Sequence, residues 1–203
     1  MYHPSMEGNP GLSAFILAGG KSSRMGTDKA FLPLHGRTLL ARALDLARQV
    51  TPNVFIVGEV KKFAPFASVV DDIFTDCGPL GGIHAALRSS RTDLNLILAV
   101  DLPFASRALL QYVISQAKAA PQAQVTIART SEGWQPLCAI YRREFAQAAE
   151  QALKKGNYKI DKLFEEGKTR VIESEELETA GFAKRLFDNL NTPEDVTKAA
   201  NEE

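Results

Sequence analysis

Leu94-Asn-Leu-Ile-Leu-Ala-Val100, followed at once by Asp101-Leu-Pro103, decides how this chain folds. Apolar side chains stand on both parities of the run, so both faces of the strand it forms must be covered. That pattern belongs to a strand in the middle of a parallel sheet with helices packed on either side. The run holds Asn95 and is far too short to cross a bilayer.

The same logic extends outward. Ser13 to Leu17, Asn53 to Val57 and Ala67 to Val70 read as further buried strands, and residues 123–128, 137–141 and 170–172 as later ones. Between them lie segments of helical period. Leu39, Leu40, Ala43, Leu44, Ala47 and Val50 predict a helix over 38–50 with Thr38 as its N-cap. Helices are also predicted over 82–90, over 106–118 capped by Ser106, over 143–154, over 158–164, and over 192–199 with Thr192 as cap and Pro193 at the first position. Strands alternating with helices indicate a three-layer α/β/α sandwich around a mostly parallel central sheet. The stretch 124–141 holds two strands with no room for a crossover helix, so part of the sheet should be antiparallel. One domain over 13–203 is expected, preceded by a flexible tail over 1–12, where Pro4, Gly8, Pro10 and Gly11 punctuate the chain.

Composition narrows the function classes. The 203 residues carry 24 Lys and Arg against 24 Asp and Glu, so the net charge is zero. A nucleic-acid-binding surface needs a basic excess, which is missing. The first residues have no basic segment followed by an apolar one, so no secretory signal is read there. Two widely separated cysteines, Cys77 and Cys138, form no disulfide framework or zinc motif and read as small buried residues in a reducing compartment. A soluble, cytoplasmic protein is expected, with no membrane and no nucleic acid as partner.

In sheets of this kind, ligands bind beyond the carboxyl ends of the strands. The loop after the first strand is Leu17-Ala-Gly-Gly-Lys-Ser-Ser-Arg-Met-Gly-Thr-Asp-Lys29. Gly19 and Gly20 let backbone amides approach a ligand closely, and Lys21, Arg24 and Lys29, less Asp28, leave the loop at +2. Each charge-assisted bond from such a cation to a phosphate contributes roughly 1.5–3 kcal/mol. The glycine spacing fits neither the Walker A loop nor the dinucleotide fingerprint. Asp101 stands at the end of the strongest strand, where a carboxylate would meet a metal-bound nucleotide; Mg²⁺ needs only one or two carboxylates beside phosphates and water.

The pattern L-A-G-G-x-x-x-R-M-G-x-D-K, present without a gap from Leu17 to Lys29, resembles the signature loop of the nucleotidyltransferase family that includes molybdenum cofactor guanylyltransferase. The resemblance continues through Gly36, the Gly78-Pro-Leu-Gly-Gly82 segment, Asp101-Leu-Pro103, Pro136 to Tyr141 and Asn189-Leu-Asn-Thr-Pro193; it omits 1–12 and is weak over 155–185. It implies a Rossmann-like fold of the nucleotide-diphospho-sugar-transferase type. It also implies a Mg²⁺-dependent transfer of GMP from GTP to molybdenum-loaded molybdopterin, with release of pyrophosphate. Molybdoenzyme-maturation proteins are further expected partners.

Carried over residue by residue, the resemblance assigns Asp101 to the metal and the nucleotide, and Asp72, in preference to Asp71, to the nucleotide. Lys29 would stabilise the reacting phosphates, Arg24 the leaving group, and Leu17, Ala18, Gly19, Gly20 and Gly82 would line the nucleotide. Asn189 and Asn191 would touch the pterin, with Gln135 and Trp134 as further lining candidates. The Gly78–Gly82 segment serves either a ligand or a close helix–sheet contact. His84 reads as packing. Where some members carry an asparagine after the second strand, this chain has Gly58. Members that use CTP tend to read L-A-A-G, whereas this loop reads Leu17-Ala-Gly-Gly20, which favours GTP; CTP or another phosphorylated acceptor is the alternative, and a non-catalytic nucleotide-binding module a more distant one.

Overall fold

The computed structural model describes residues 9–19, 28–190 and 192–201. Gly20, Lys21, Arg24 and Asn191 lie outside the described residues. The central sheet runs, from edge to edge, β10 (Thr169–Glu173), β7 (Val125–Thr130), β9 (Cys138–Arg142), β6 (Thr92–Ala99), β1 (Asn9–Leu17), β4 (Val54–Val57) and β5 (Ser68–Val70), with β8 (Gly133–Trp134) paired to β7. The run at 94–100 is β6, and it sits in the interior of the sheet, parallel to β1 and antiparallel to β9. β1 pairs parallel with β4, and β4 with β5. The expected antiparallel part is there: β9 lies against both β6 and β7.

Alternation along the strands explains the layers. Ala14 and Ile16 of β1, with Leu94, Leu96 and Leu98 of β6, face one core. That core is closed by α1 (Leu39–Arg48), α4 (Arg107–Ala119), α6 (Ser174–Thr179) and α7 (Pro193–Asn201). Phe15, Leu17 and Ile97 face the other, closed by α3 (Pro79–Ser89) and α5 (Phe145–Lys154). The strand is apolar on both parities because it has a core on each side. Asn95 is buried in β6, where it bonds Ser90 Oγ and donates to the Tyr141 carbonyl at 3.2 Å, so its amide is satisfied within the sheet. Burial pushes the Cys138 thiol up to about 12, which suits an inert core residue.

Several boundaries differ from those read in the sequence. β1 begins at Asn9, so the residues from 9 to 12 assigned to the tail belong to the strand; a register shift between Asn9 and Leu12 breaks the regular pattern there. α3 begins at Pro79, not at 82, because proline starts a helix well and Gly78 precedes it at φ +64°. The predicted helix at 158–164 is only a 3₁₀ turn, Ile160–Leu163. Short elements such as α2 (Val60–Phe63), the 3₁₀ turns Lys29–Phe31 and Lys184–Phe187, and the hairpin of β2 (Pro33–Leu34) with β3 (Arg37–Thr38) carry no period to read. The caps are as predicted. Thr38 accepts from the Ala41 amide at 3.2 Å and Ser106 from the Leu109 amide at 3.2 Å.

Candidate active site

The carboxyl ends of β1, β4, β5 and β6 open on one edge of the sheet, and the charged residues gather there. Lys29 opens the 3₁₀ turn that follows the first loop, and its ammonium lies 3.3 Å from Asp101 Oδ2. The two are 72 positions apart in sequence; the side chains are 24% and 20% exposed, so the pair remains accessible to a ligand. Asp101 is anchored through its backbone as well. The Leu190 amide donates to the Asp101 carbonyl at 3.0 Å, which ties the segment before α7 to the end of β6.

Ala18 and Gly19 both donate to the Val57 carbonyl, at 3.1 and 3.2 Å, so the first loop leaves the sheet beside β4. Asp72 follows β5 and stands next to Gly19: a methyl at Gly19 would put its carbon 3.7 Å from Asp72 Oδ2. Asp72 Oδ1 is buried and finds no hydrogen-bond partner among the described residues. Burial, reinforced by the Asp71 carboxylate, raises the Asp72 pKa. An orphaned, desolvated carboxylate beside a glycine-bearing loop is a candidate acceptor for a ligand donor. Asp71 is exposed and bonds the Asp72 amide, and Asp76 is exposed at φ +61°, in the role of a turn residue.

Gly58 follows β4, and a methyl there would meet the Phe63 ring at 2.9 Å and the Gly19 nitrogen at 3.3 Å, at φ +155°. An asparagine at that position is therefore blocked by this chain's own α2. Gly82 is buried inside α3, and a methyl on it would touch Leu17 at 3.4 Å and Val57 at 3.6 Å. Its contacts are those of close helix–sheet packing. His84 is buried with its ring edge-on to Phe74 at 5.1 Å between centroids, which agrees with a packing role.

Leu190, whose amide bonds Asp101, lines a cleft of about 510 Å³. Asn189 lines it, as do Trp134 and Gln135, the two further candidates from the sequence. Phe104, Arg185, Glu132 and Lys198 complete much of the wall and were not singled out by any motif. Arg185 stacks over Phe104 at 4.3 Å, and Arg129 over Trp134 at 5.1 Å. Glu173 orients Arg129 by a bond of 3.0 Å to Nε. Among the described residues no group of three or more His, Cys, Asp or Glu side chains can hold a metal ion. A hard divalent cation bound here would take the Asp101 carboxylate together with phosphate oxygens and water, a donor set that fits such an ion only alongside a nucleotide.

The mixed sheet, with Lys29 and Asp101 paired at its strand ends, is that of an α/β nucleotidyltransferase fold. Residues 14–171 match the model of the MobA-like NTP transferase domain, and the chain belongs to that family. It is 33% identical over 189 residues to a molybdenum cofactor guanylyltransferase of Syntrophotalea carbinolica, covering 92% of this chain and 89% of the relative. It is 32% identical over 186 residues to a probable molybdenum cofactor guanylyltransferase of Pelotomaculum thermopropionicum, covering 91% and 89%. Among solved structures, the molybdopterin-guanine dinucleotide biosynthesis protein A of Archaeoglobus fulgidus superposes with a TM-score of 0.79 at 25% identity, covering 93% of this chain and 97% of that one.

Proposed function

We propose that this protein transfers GMP from GTP to molybdenum-loaded molybdopterin, giving the guanine dinucleotide form and pyrophosphate. The observation that carries the reading is the Lys29–Asp101 pair at the strand ends, tied through the Asp101 carbonyl to Leu190, which lines the neighbouring cleft. In the reaction an ionised phosphate oxygen of the acceptor attacks the α-phosphorus. The bond to the bridging oxygen breaks, and pyrophosphate leaves with the electron pair. No general base is needed, because the attacking oxygen carries no proton. The work of the protein is to position two anions and neutralise their charge.

Lys29 supplies one cation at the reacting phosphates, and a unit-charge pair at 4 Å is worth ~4 kcal/mol at an effective dielectric near 20. Arg24, in the signature loop, is assigned to the leaving group. Asp101 would hold Mg²⁺, which when bound neutralises phosphate charge and orients the nucleotide. Asp72, with its unpartnered buried oxygen, accepts from a nucleotide donor, and Gly19 lies beside that carboxylate, where an added methyl would come within 3.7 Å of Oδ2. Leu17, Ala18, Gly19 and Gly20 line the nucleotide, while Gly82 holds α3 close enough to shape that wall. Asn189 contacts the pterin in the cleft lined by Trp134 and Gln135, and Asn191, outside the described residues, is assigned to the same substrate. The two free, buried cysteines suit the reducing cytoplasm in which we place the enzyme.

Incubation with Mg²⁺, GTP and molybdenum-loaded molybdopterin, followed by mass analysis, should give the guanine dinucleotide and pyrophosphate. Product with CTP but none with GTP would overturn the guanylyl assignment. Asp101→Asn should fold normally and lose about a hundredfold or more in pyrophosphate release, the scale of losing one preorganised electrostatic contact.

A further inference from the structure

The turn that carries Lys29 is held at both ends by α2, an element to which the reaction above gives no task. At its start, Asp28 caps the turn: its Oδ1 accepts from the Ala30 amide at 2.9 Å, while its Oδ2 pairs with the Lys62 ammonium of α2. At its end, Phe31 stacks on Phe63 at 5.9 Å and meets Phe66 at 5.7 Å. The Lys62 ammonium also lies over the Phe31 and Phe63 rings, at 5.7 and 5.1 Å from their centroids. The Asp28 and Lys62 side chains are only 18% and 32% exposed, so this is a partly desolvated pair rather than a loose surface contact. The same Phe63 ring fills the space above Gly58, which locks α2 against the base of the first loop.

Asp28 directly precedes Lys29, so its carboxylate is the natural competitor for the Lys29 ammonium. As the chain folds, both Asp28 oxygens are engaged elsewhere, and Lys29 points instead to Asp101. We propose that Lys62 is a positioning residue for Lys29: by pairing with Asp28 it withholds that carboxylate and fixes the turn from which Lys29 reaches Asp101. Without Lys62, a half-buried carboxylate loses its counter-ion, and Lys29 is the next cation along the chain. Lys29 then divides its time between Asp28 and Asp101, and the charge needed at the reacting phosphates is misplaced. The inference rests on the assignment of Lys29 to those phosphates.

The test is a double-variant cycle in the full-length protein: Lys62→Gln, Asp28→Asn, the two combined, and Lys62→Arg as the conservative control. Lys62→Gln should lower kcat for guanylyl transfer about tenfold while the Kd for Mg·GTP moves by no more than about threefold. The combined variant should recover most of that loss, because the released carboxylate is gone, and Lys62→Arg should stay within about twofold of the unmodified protein. A second readout needs no acceptor: labelling of Lys29 by an amine-reactive ester, followed site by site by mass spectrometry. A carboxylate moving toward Lys29 engages its ammonium in an ion pair and shields it, so labelling in Lys62→Gln should slow about threefold and return in the combined variant. A combined variant as slow as Lys62→Gln, or Lys29 labelling that does not change, would overturn the proposal and leave Lys62 a scaffold residue. If the unmodified protein transfers no guanylyl group, the functional reading fails, and the labelling result still decides whether Lys62 positions Lys29.

Discussion

At the scale of single residues, Lys29 and Asp101 pair their charges, whereas Asp72 faces, among the described residues, only another carboxylate, Asp71. The Asp72 carboxylate is desolvated and has one buried oxygen without a partner among those residues. Such a group destabilises the free protein and is relieved when a ligand donor reaches it. The pH dependence follows. The folded-state pKa lies above the ordinary value of 3.8, so the native state binds the proton more tightly than the unfolded chain. Stability from this group is therefore present at acid pH and is lost as pH rises through the interval between the two values. Asp72→Asn should remove that loss. We expect a higher Tm than the unmodified protein at pH 7, a smaller difference near pH 4, and weaker Mg·GTP binding by calorimetry. A variant that lost stability at pH 7 and bound GTP normally would show that Asp72 is structural.

Residue types were legible where a motif carried them. Lys29 and Asp101 could be named from the first loop and the strongest strand, and they meet in space. Asp28, though it lies in the same motif, had no visible task, because its partner Lys62 is on a four-residue helix with no period to detect. Arg185 and Phe104 escaped for a similar reason. Their stacking joins distant loops, and neither loop carries a pattern that announces the contact.

At the scale of elements, the joint between α3 and α5 shows what a helix face can hide. His84 was read as packing, and it is buried with neither ring nitrogen hydrogen-bonded. Burial lowers its pKa; Glu150, whose Oε2 is 3.8 Å from Nε2, opposes that, and Arg88 and Lys154 add to it. The sign is opposite to that of Asp72. The unfolded chain takes up a proton near pH 6.5 and the folded chain only at lower pH, so stability falls as pH drops through that window. His84→Leu should flatten this part of the pH–stability curve, measured by chemical denaturation between pH 7.5 and 5. A curve unchanged by the substitution would assign the acid sensitivity to other groups. The element boundaries failed where geometry, not periodicity, sets them. Gly78 at positive φ followed by Pro79 starts α3 without a Ser, Thr, Asp or Asn cap, so the helix begins before its apolar pattern becomes evident.

At the scale of the whole molecule, the two substrate regions proposed here converge on one residue. Asp101 meets Lys29 through its carboxylate and the segment before α7 through its carbonyl, which accepts from the Leu190 amide at 3.0 Å. Leu190 is buried, and its neighbour Asn189 lines the cleft proposed for the acceptor. Thr192 and Asp195 then cap α7 reciprocally: the Asp195 amide donates to Thr192 Oγ1 at 3.0 Å and the Thr192 amide to Asp195 Oδ2 at 2.8 Å. The wall proposed for the acceptor is therefore fastened at one end to a helix start and at the other to the aspartate assigned to the nucleotide. A ligand that orders Asp101 should also slow the opening of the Leu190–Asp101 hydrogen bond, although it does not touch Leu190. Hydrogen exchange of a peptide spanning 186–192 should consequently slow when Mg·GTP is added without any acceptor. The same peptide in Asp101→Asn, whose backbone bond is intact but whose carboxylate is lost, should exchange at one rate with and without nucleotide. Protection that survived in Asp101→Asn would mean that the nucleotide reaches the acceptor wall by another route, and the shared-residue account of the coupling would fall.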